Sequence, residues 1–137
     1  MKQVYKILLV DDDPTSMYLV QSILEDMQIV RQVATAANGK EALDFIETHC
    51  LASESIKTII TSAFCPELIL LDINMPLMDG FEFLEACKDK HCFKGNQVKV
   101  VMLSSSSSMK DLQKAKTYGV THYLVKPLTK EKLLVII

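Results

Sequence analysis

Residues 6–14 read KILLVDDDP, four consecutive apolar side chains followed by Asp11, Asp12 and Asp13. A short apolar run without polar alternation is what a strand shows when both its faces are covered, as in the middle of a parallel sheet. The three aspartates stand where that strand stops. Two carboxylates about 4 Å apart repel by roughly 1 kcal/mol in water, and by several times that near a protein interior. A charged cluster in that place needs a compensating group, and the ends of the other strands are the nearest places to supply one.

Downstream, Met17, Val20, Ile23, Leu24 and Met27 recur at three- and four-residue steps, the stripe of a helix packed on one side. Asp13 and Pro14 suit its N-cap and first position. A weaker strand is expected over 32–36, then Asn38-Gly39 as a turn or cap, then a helix through Ala42, Leu43 and Ile46. Three further pairs follow: ELILL (67–71) with a helix over 81–90, KVVML (99–103) with a helix over 110–118 stopped by Gly119 at C′, and HYLV (122–125) with a helix over 130–137. Five βα units with nearly continuous apolar strands predict one α/β domain over 1–137, a parallel sheet with helices on both faces.

The composition agrees. A chain of 137 residues, 49% hydrophobic and 23% charged, is long enough for one core and too short for two ordinary domains. A net charge of -2 and a pI near 5.9 leave no basic footprint for nucleic acid or an anionic membrane. No run approaches the ~20 apolar residues of a membrane span, and 7–10 is too short for a signal-peptide core, so a cytoplasmic location is expected. Cys50, Cys65, Cys87 and Cys92 contain no C-x-x-C pair, and His49, His91 and His122 have no H-x-x-x-H spacing. Neither a zinc site nor a disulfide framework is expected; the cysteines read as four reduced, partly buried thiols.

In open α/β sheets, ligands bind beyond the carboxyl ends of the strands, where the strand order reverses. The first strand ends in Asp11-Asp12-Asp13, the third in Asp72, the fourth in Ser104 and the fifth in Lys126-Pro127. An aspartate after a strand is ordinarily a helix cap, and a lysine there is ordinarily solvated. Carboxylates, a hydroxyl and an ammonium converging on one rim are what phosphoryl transfer to a carboxylate uses. Asp72 is then the nucleophile, with Mg²⁺ (or Mn²⁺) on one or two carboxylates to offset the acidic cluster and the incoming charge. Lys126 pairs with one phosphoryl oxygen and Ser104 hydrogen-bonds another, while Asp13 turns away to cap the first helix.

The set ILLVDDDP, LILLDINMPLMDGFEFL, VVMLSS and YLVKPL resembles the receiver domain of two-component response regulators, the CheY-like superfamily, from about residue 6 to residue 134. The resemblance implies a flavodoxin-like (βα)5 three-layer sandwich with strand order 2-1-3-4-5. It implies that Asp72 is phosphorylated from a phosphohistidine on a sensor histidine kinase or phosphotransfer protein. Asp12, Asp72 and the main-chain carbonyl of Asn74 would hold Mg²⁺, with Asp11 contributing through water. Ser104 and Tyr123 would form the switch pair, and the Lys126-Pro127 peptide would be cis. Such a domain catalyses its own phosphorylation and dephosphorylation without being a turnover enzyme. Asn74 and Ser106 would tune dephosphorylation, with the small Ser106 favouring slow self-hydrolysis and the small Ser105 fitting beside the site. A phosphoryl group adds close to two negative charges, enough to bias a bistable element. The output face would be the fourth helix, fifth strand and fifth helix. Its listener would be a separate protein or an output domain after Ile137, with a phosphorylation-dependent homodimer as a further outcome.

Two departures from that pattern stand out. About 50–66 intervenes between the second helix and third strand, with Ile56, Ile59, Ile60 and Ala63 at helical spacing, which predicts an extended or extra helix. LLVII (133–137) is apolar on every side and reads as a helix cut short or completed by a partner chain. The serine run 104–108 reads as low complexity beyond its first residue. Two other function classes compete. VDDDPT fits the D-x-D-x-T pattern of haloacid-dehalogenase-like phosphatases, with Asp11 as nucleophile, Asp13 as general acid and Thr15, but the late acidic pair is reduced to Glu131 and Asp72 has no role. A phosphorylation-independent receiver-like binding module would ordinarily lack an acidic residue or the lysine, and both are present.

Overall fold

A computed structural model of the protein describes residues 5–50, 65–90, 93, 98–105, 108–120 and 122–136. Five strands alternate with five helices among these residues: β1 (Tyr5–Val10), α1 (Pro14–Met27), β2 (Val30–Ala36), α2 (Gly39–His49), β3 (Leu68–Asp72), α3 (Gly80–Cys87), β4 (Lys99–Ser104), α4 (Met109–Thr117), β5 (His122–Val125) and α5 (Lys130–Leu134). All neighbouring strands pair parallel, in the order β2-β1-β3-β4-β5. This is the expected flavodoxin-like three-layer sandwich. The expected helix around 56–63 lies outside the described residues.

The unbroken apolar runs are explained by two cores that share one sheet. Leu8, Val10, Ile69 and Leu71 face Ala42, Ile46, Phe83, Leu84, Cys87 and Ala115, which belong to α2, α3 and α4. The alternate residues Ile7, Leu9, Leu68 and Leu70 face Val20, Leu24 and Met27 of α1 and Leu133 of α5. With Ile7 through Val10 all at 0% exposure, neither face of β1 can carry a polar side chain without an unmet desolvation cost. Fully burying one such aliphatic side chain is worth about 1.5–3 kcal/mol, so these strands fix where the sheet edge, and hence the site, must lie.

Each described helix opens on a side-chain cap, and these caps place the loops of the site. The Asp13 carboxylate accepts from the Thr15 N–H at 3.0 Å and Pro14 fills the first position of α1. Asn38 accepts from the Glu41 N–H at 2.9 Å. Asp79 and Glu82 form a reciprocal capping box at the start of α3, at 2.8 and 3.0 Å. Thr129 caps α5, and Gly119 at φ 78 follows the end of α4, the left-handed C′ position expected of it.

Several expectations are corrected. Cys50 and Cys65 are disulfide-bonded rather than reduced, with Cα atoms 4.9 Å apart. Cys50 caps the end of α2 and Cys65 lies three residues before β3, a tertiary proximity that a 15-residue separation does not reveal. Cys87 is buried at the end of the third helix. Ser108 is not mere low complexity, because its hydroxyl caps α4. The fifth helix ends at Leu134 instead of continuing, and its apolar residues divide, with Leu133 buried but Leu134 and Val135 exposed. The third helix ends at Cys87 rather than near 90, while β2 starts two residues earlier than its weak pattern suggested. No helix among the described residues is long and apolar enough to cross a membrane.

Candidate functional site

β1 and β3 are adjacent at the point where the strand order reverses, so the residues just past Val10 and Leu71 face one another across the rim. Backbone bonds continue beyond the strands: the Asp11 N–H donates to the Ala36 carbonyl at 3.0 Å, and the Lys126 N–H donates to the Ser104 carbonyl at 2.7 Å. Side-chain oxygens of Asp11, Asp12 and Asp72 thereby lie within 4.8 Å of one another. Asp11 and Asp72 are buried, at 1% and 7% exposure, while Asp12 is exposed. Lys126 crosses from the fifth strand, with Nζ 2.9 Å from Asp11 Oδ2 and 3.5 Å from Asp72 Oδ2. Three carboxylates against one ammonium leave the cluster anionic.

The two buried carboxylates differ in environment. Burial opposes ionisation of Asp11, but the Lys126 ammonium, the Asp13 N–H at 2.9 Å from Oδ1 and the Ser16 hydroxyl outweigh it, and its pKa is lowered. Asp72 gains less. Burial raises it first, Lys126 opposes that, the Asp11 charge adds to the rise, and the carboxyl is pushed up to about 6. Lys126 is itself desolvated, yet its two carboxylate neighbours raise its pKa and keep it an ammonium. The arrangement therefore holds a spare anionic site beside an acceptor whose basicity is raised, the property wanted in a carboxylate nucleophile.

The other residues singled out in the sequence fall as follows. Ser104, at 1% exposure, is the last residue of β4. Tyr123 sits on β5 opposite Met102, half-buried against the core. Asn74 is exposed in the loop after β3, and the Lys126-Pro127 peptide is cis. Ser106 lies outside the described residues. Asp13 is exposed and committed to the α1 cap, so the general acid of the phosphatase reading points away from the cluster. Ser16 was missed by the sequence reading. Its only signal is its place in the first turn of α1, just beyond the aspartates.

The loop from Asp72 to α3 contains a tight turn. The Met78 N–H donates to the Pro76 carbonyl at 2.7 Å around Leu77, whose φ is 67. This left-handed conformation costs an L-residue with a Cβ about 1–2 kcal/mol. Leu77 is 85% exposed, so burial does not offset the strain. Leu77→Gly is expected to stabilise the protein by about 0.5–1 kcal/mol, less than the strain itself because glycine loosens the unfolded chain. Urea unfolding measures it; a lowered midpoint would mean that Leu77 makes a compensating contact.

Comparison with known proteins converges on one family. The family model described as response regulator receiver domain matches residues 7–137. The chain is 32% identical over 130 residues to Protein PilG of Pseudomonas aeruginosa, covering 94% of this chain and 82% of that protein. It is also 32% identical over 127 residues to the probable methanogenesis regulatory protein FilR2 of Methanothrix harundinacea, covering 93% of this chain and 75% of that protein. It spans about half the length of other curated relatives, 47% of one and 50% of another. Among solved structures, a two component response regulator from Cytophaga hutchinsonii superimposes with a TM-score of 0.78 at 28% identity, covering 94% of this chain and 90% of that one. With the sheet order, the acidic rim and these likenesses in agreement, the chain belongs to the response regulator receiver domains, signalling modules of two-component phosphorelays.

Proposed function

We propose that Asp72 accepts a phosphoryl group from a phosphohistidine on a sensor histidine kinase or histidine phosphotransfer protein. The N–P bond breaks as a bond from an Asp72 oxygen to phosphorus forms, and the histidine recovers a proton. The observation that carries this reading is the convergence of Asp11, Asp12 and Asp72 within 4.8 Å, with one ammonium 3.5 Å from Asp72. The donor set fits a hard divalent cation, since Mg²⁺ prefers carboxylate and carbonyl oxygens and binds through one or two carboxylates. Asp11, Asp12, Asp72 and the main-chain carbonyl of Asn74 would hold it, and Mn²⁺ shares the preference. The bound cation would neutralise phosphoryl charge. Lys126 then pairs with one phosphoryl oxygen and the Ser104 hydroxyl donates to another. The chain thus catalyses its own phosphorylation and dephosphorylation, with Asn74 and Ser106 tuning the lifetime.

Drawing Ser104 and Lys126 toward the new charge biases Tyr123 and the α4–β5–α5 face, which signals to a downstream protein, an output domain or a second copy. The domain is assigned to 1–137, with the 50–66 insertion as its distinctive segment, and its place is the cytoplasm, where histidine kinases present their phosphohistidines. Intact mass after incubation with Mg²⁺ and acetyl phosphate tests the reading. The wild type is expected to gain one phosphoryl mass that requires Mg²⁺ and is lost in Asp72→Ala, while Asp11→Ala only weakens it. An adduct that survives Asp72→Ala but not Asp11→Ala would return the phosphatase reading.

A further inference from the structure

We propose that Lys132 is a positioning residue for Lys126, acting through the backbone of the β5–α5 loop; this rests on the reading of Lys126 as the cation that meets the phosphoryl group. Lys132 is the middle residue of the five-residue helix α5. Its ammonium folds back and donates to two main-chain carbonyls, Val125 at 2.6 Å and Pro127 at 2.9 Å. These carbonyls flank Lys126 on either side. The Lys132 N–H is also tied to the loop, donating to the Thr129 hydroxyl at 3.2 Å. From the opposite side, the Lys126 N–H is held by the Ser104 carbonyl at 2.7 Å.

The backbone of Lys126 is therefore pinned from β4 on one side and from α5 on the other. This matters because a lysine has four rotatable side-chain bonds and orders them at a cost of up to about 2 kcal/mol. A fixed Cα leaves only that side-chain cost to be met by the two carboxylates at 2.9 and 3.5 Å. With the anchor loosened, the ammonium samples a wider volume, and a misplacement of about 1 Å in a reacting constellation can lower a rate about a hundredfold. A charge-assisted donor is suited to the task, since bonds from an ammonium to carbonyls are stronger than neutral ones. Lys130, two residues earlier, offers the contrast: it pairs with Asp26 on the surface.

The test uses the full chain, four single variants and one double variant. Lys132→Met is expected to slow phosphorylation by acetyl phosphate about tenfold at saturating Mg²⁺. It should also speed hydrogen exchange at the Lys126 amide about tenfold. Lys132→Arg restores most of the rate, and Lys130→Met changes neither quantity. In a Lys126→Met background, Lys132→Met is expected to slow the reaction no further, because the group it positions is gone. An equal loss in both backgrounds would reduce Lys132 to a structural residue and overturn the proposal, as would an unchanged Lys126 exchange rate. Should the wild type take up no phosphoryl group at all, the phosphoacceptor reading fails by itself, and the exchange measurement alone then decides whether Lys132 holds the loop.

Discussion

Asp72→Asn is expected to make the metal-free protein more stable at neutral pH, although it removes the proposed phosphoacceptor. The Asp72 carboxyl titrates near 6 in the folded state against an ordinary 3.8, chiefly because burial disfavours its charge and the Asp11 charge adds to that. A folded state that holds a proton more tightly than the unfolded chain is favoured at low pH. The contribution of Asp72 is therefore neutral below about 4, becomes a penalty as pH rises through the window from 3.8 to about 6, and is constant above it. At about 1.4 kcal/mol per pKa unit, the penalty is on the order of a few kcal/mol. Asparagine keeps the shape without the charge and removes most of it. Asp11 behaves oppositely: its lowered pKa stabilises the fold above 3.8 and is lost only in stronger acid, so the two windows do not overlap.

Mg²⁺ held by the proposed site would invert this balance. A cation that binds only the folded, ionised cluster stabilises by RT ln(1 + [L]/Kd), about 2.7 kcal/mol at a hundredfold excess over Kd. Urea midpoints across the pH range, in EDTA and in Mg²⁺, read both effects. In EDTA the wild type should lose stability between pH 4 and 6 relative to Asp72→Asn. In Mg²⁺ the wild type should recover above pH 6, with the gain fading in acid and absent from the variant. An equal Mg²⁺ gain in Asp72→Asn would place the cation elsewhere, and parallel pH profiles in EDTA would mean that the Asp72 carboxylate is solvated better than its 7% exposure implies.

The cluster was legible in the sequence because its parts stand at the ends of strands that periodicity identifies. KILLV, LILL and KVVML each end within a residue of where an apolar run stops, so Asp11, Asp72 and Ser104 follow from burial alone. Caps such as Asp13 and Asn38 were readable for a similar reason, since local chemistry decides them. What escaped depends on contacts between distant segments. The Cys50–Cys65 bond reflects how the end of α2 meets the approach to β3. β2 was shortened because it is an edge strand with mostly exposed side chains, held by its pairing with β1 more than by its own pattern. Ser108 was hidden in a serine run, and the bonds from Lys132 to the Val125 and Pro127 carbonyls leave no periodic trace.

Gly80→Ala is expected to damage both fold and site, through backbone contact rather than backbone conformation. A Cβ at this position would lie 2.6 Å from the carbonyl oxygen of Asp72, 3.1 Å from Ile73 Cα and 3.2 Å from the Met102 side chain. The nearest two belong to main chain and cannot rotate aside. Nor can α3 withdraw freely, because the Gly80 N–H donates to the Ile73 carbonyl at 2.8 Å and the Asp79–Glu82 capping box fixes the helix start. Overpacking of this kind costs about 1–3 kcal/mol. The displaced atom is the carbonyl of Asp72 itself, so the strain is relieved by moving the proposed acceptor against Lys126 and Asp11. Phosphoryl uptake should fall about tenfold or more, beyond what the stability loss explains. Gly119→Ala separates the two causes: φ there is +78, nothing lies within 4 Å, and only conformational strain of about 1 kcal/mol is added. That variant should lower the urea midpoint and leave the phosphorylation rate unchanged. If Gly80→Ala did the same, the close approach of α3 to β3 would be a packing feature with no part in holding Asp72.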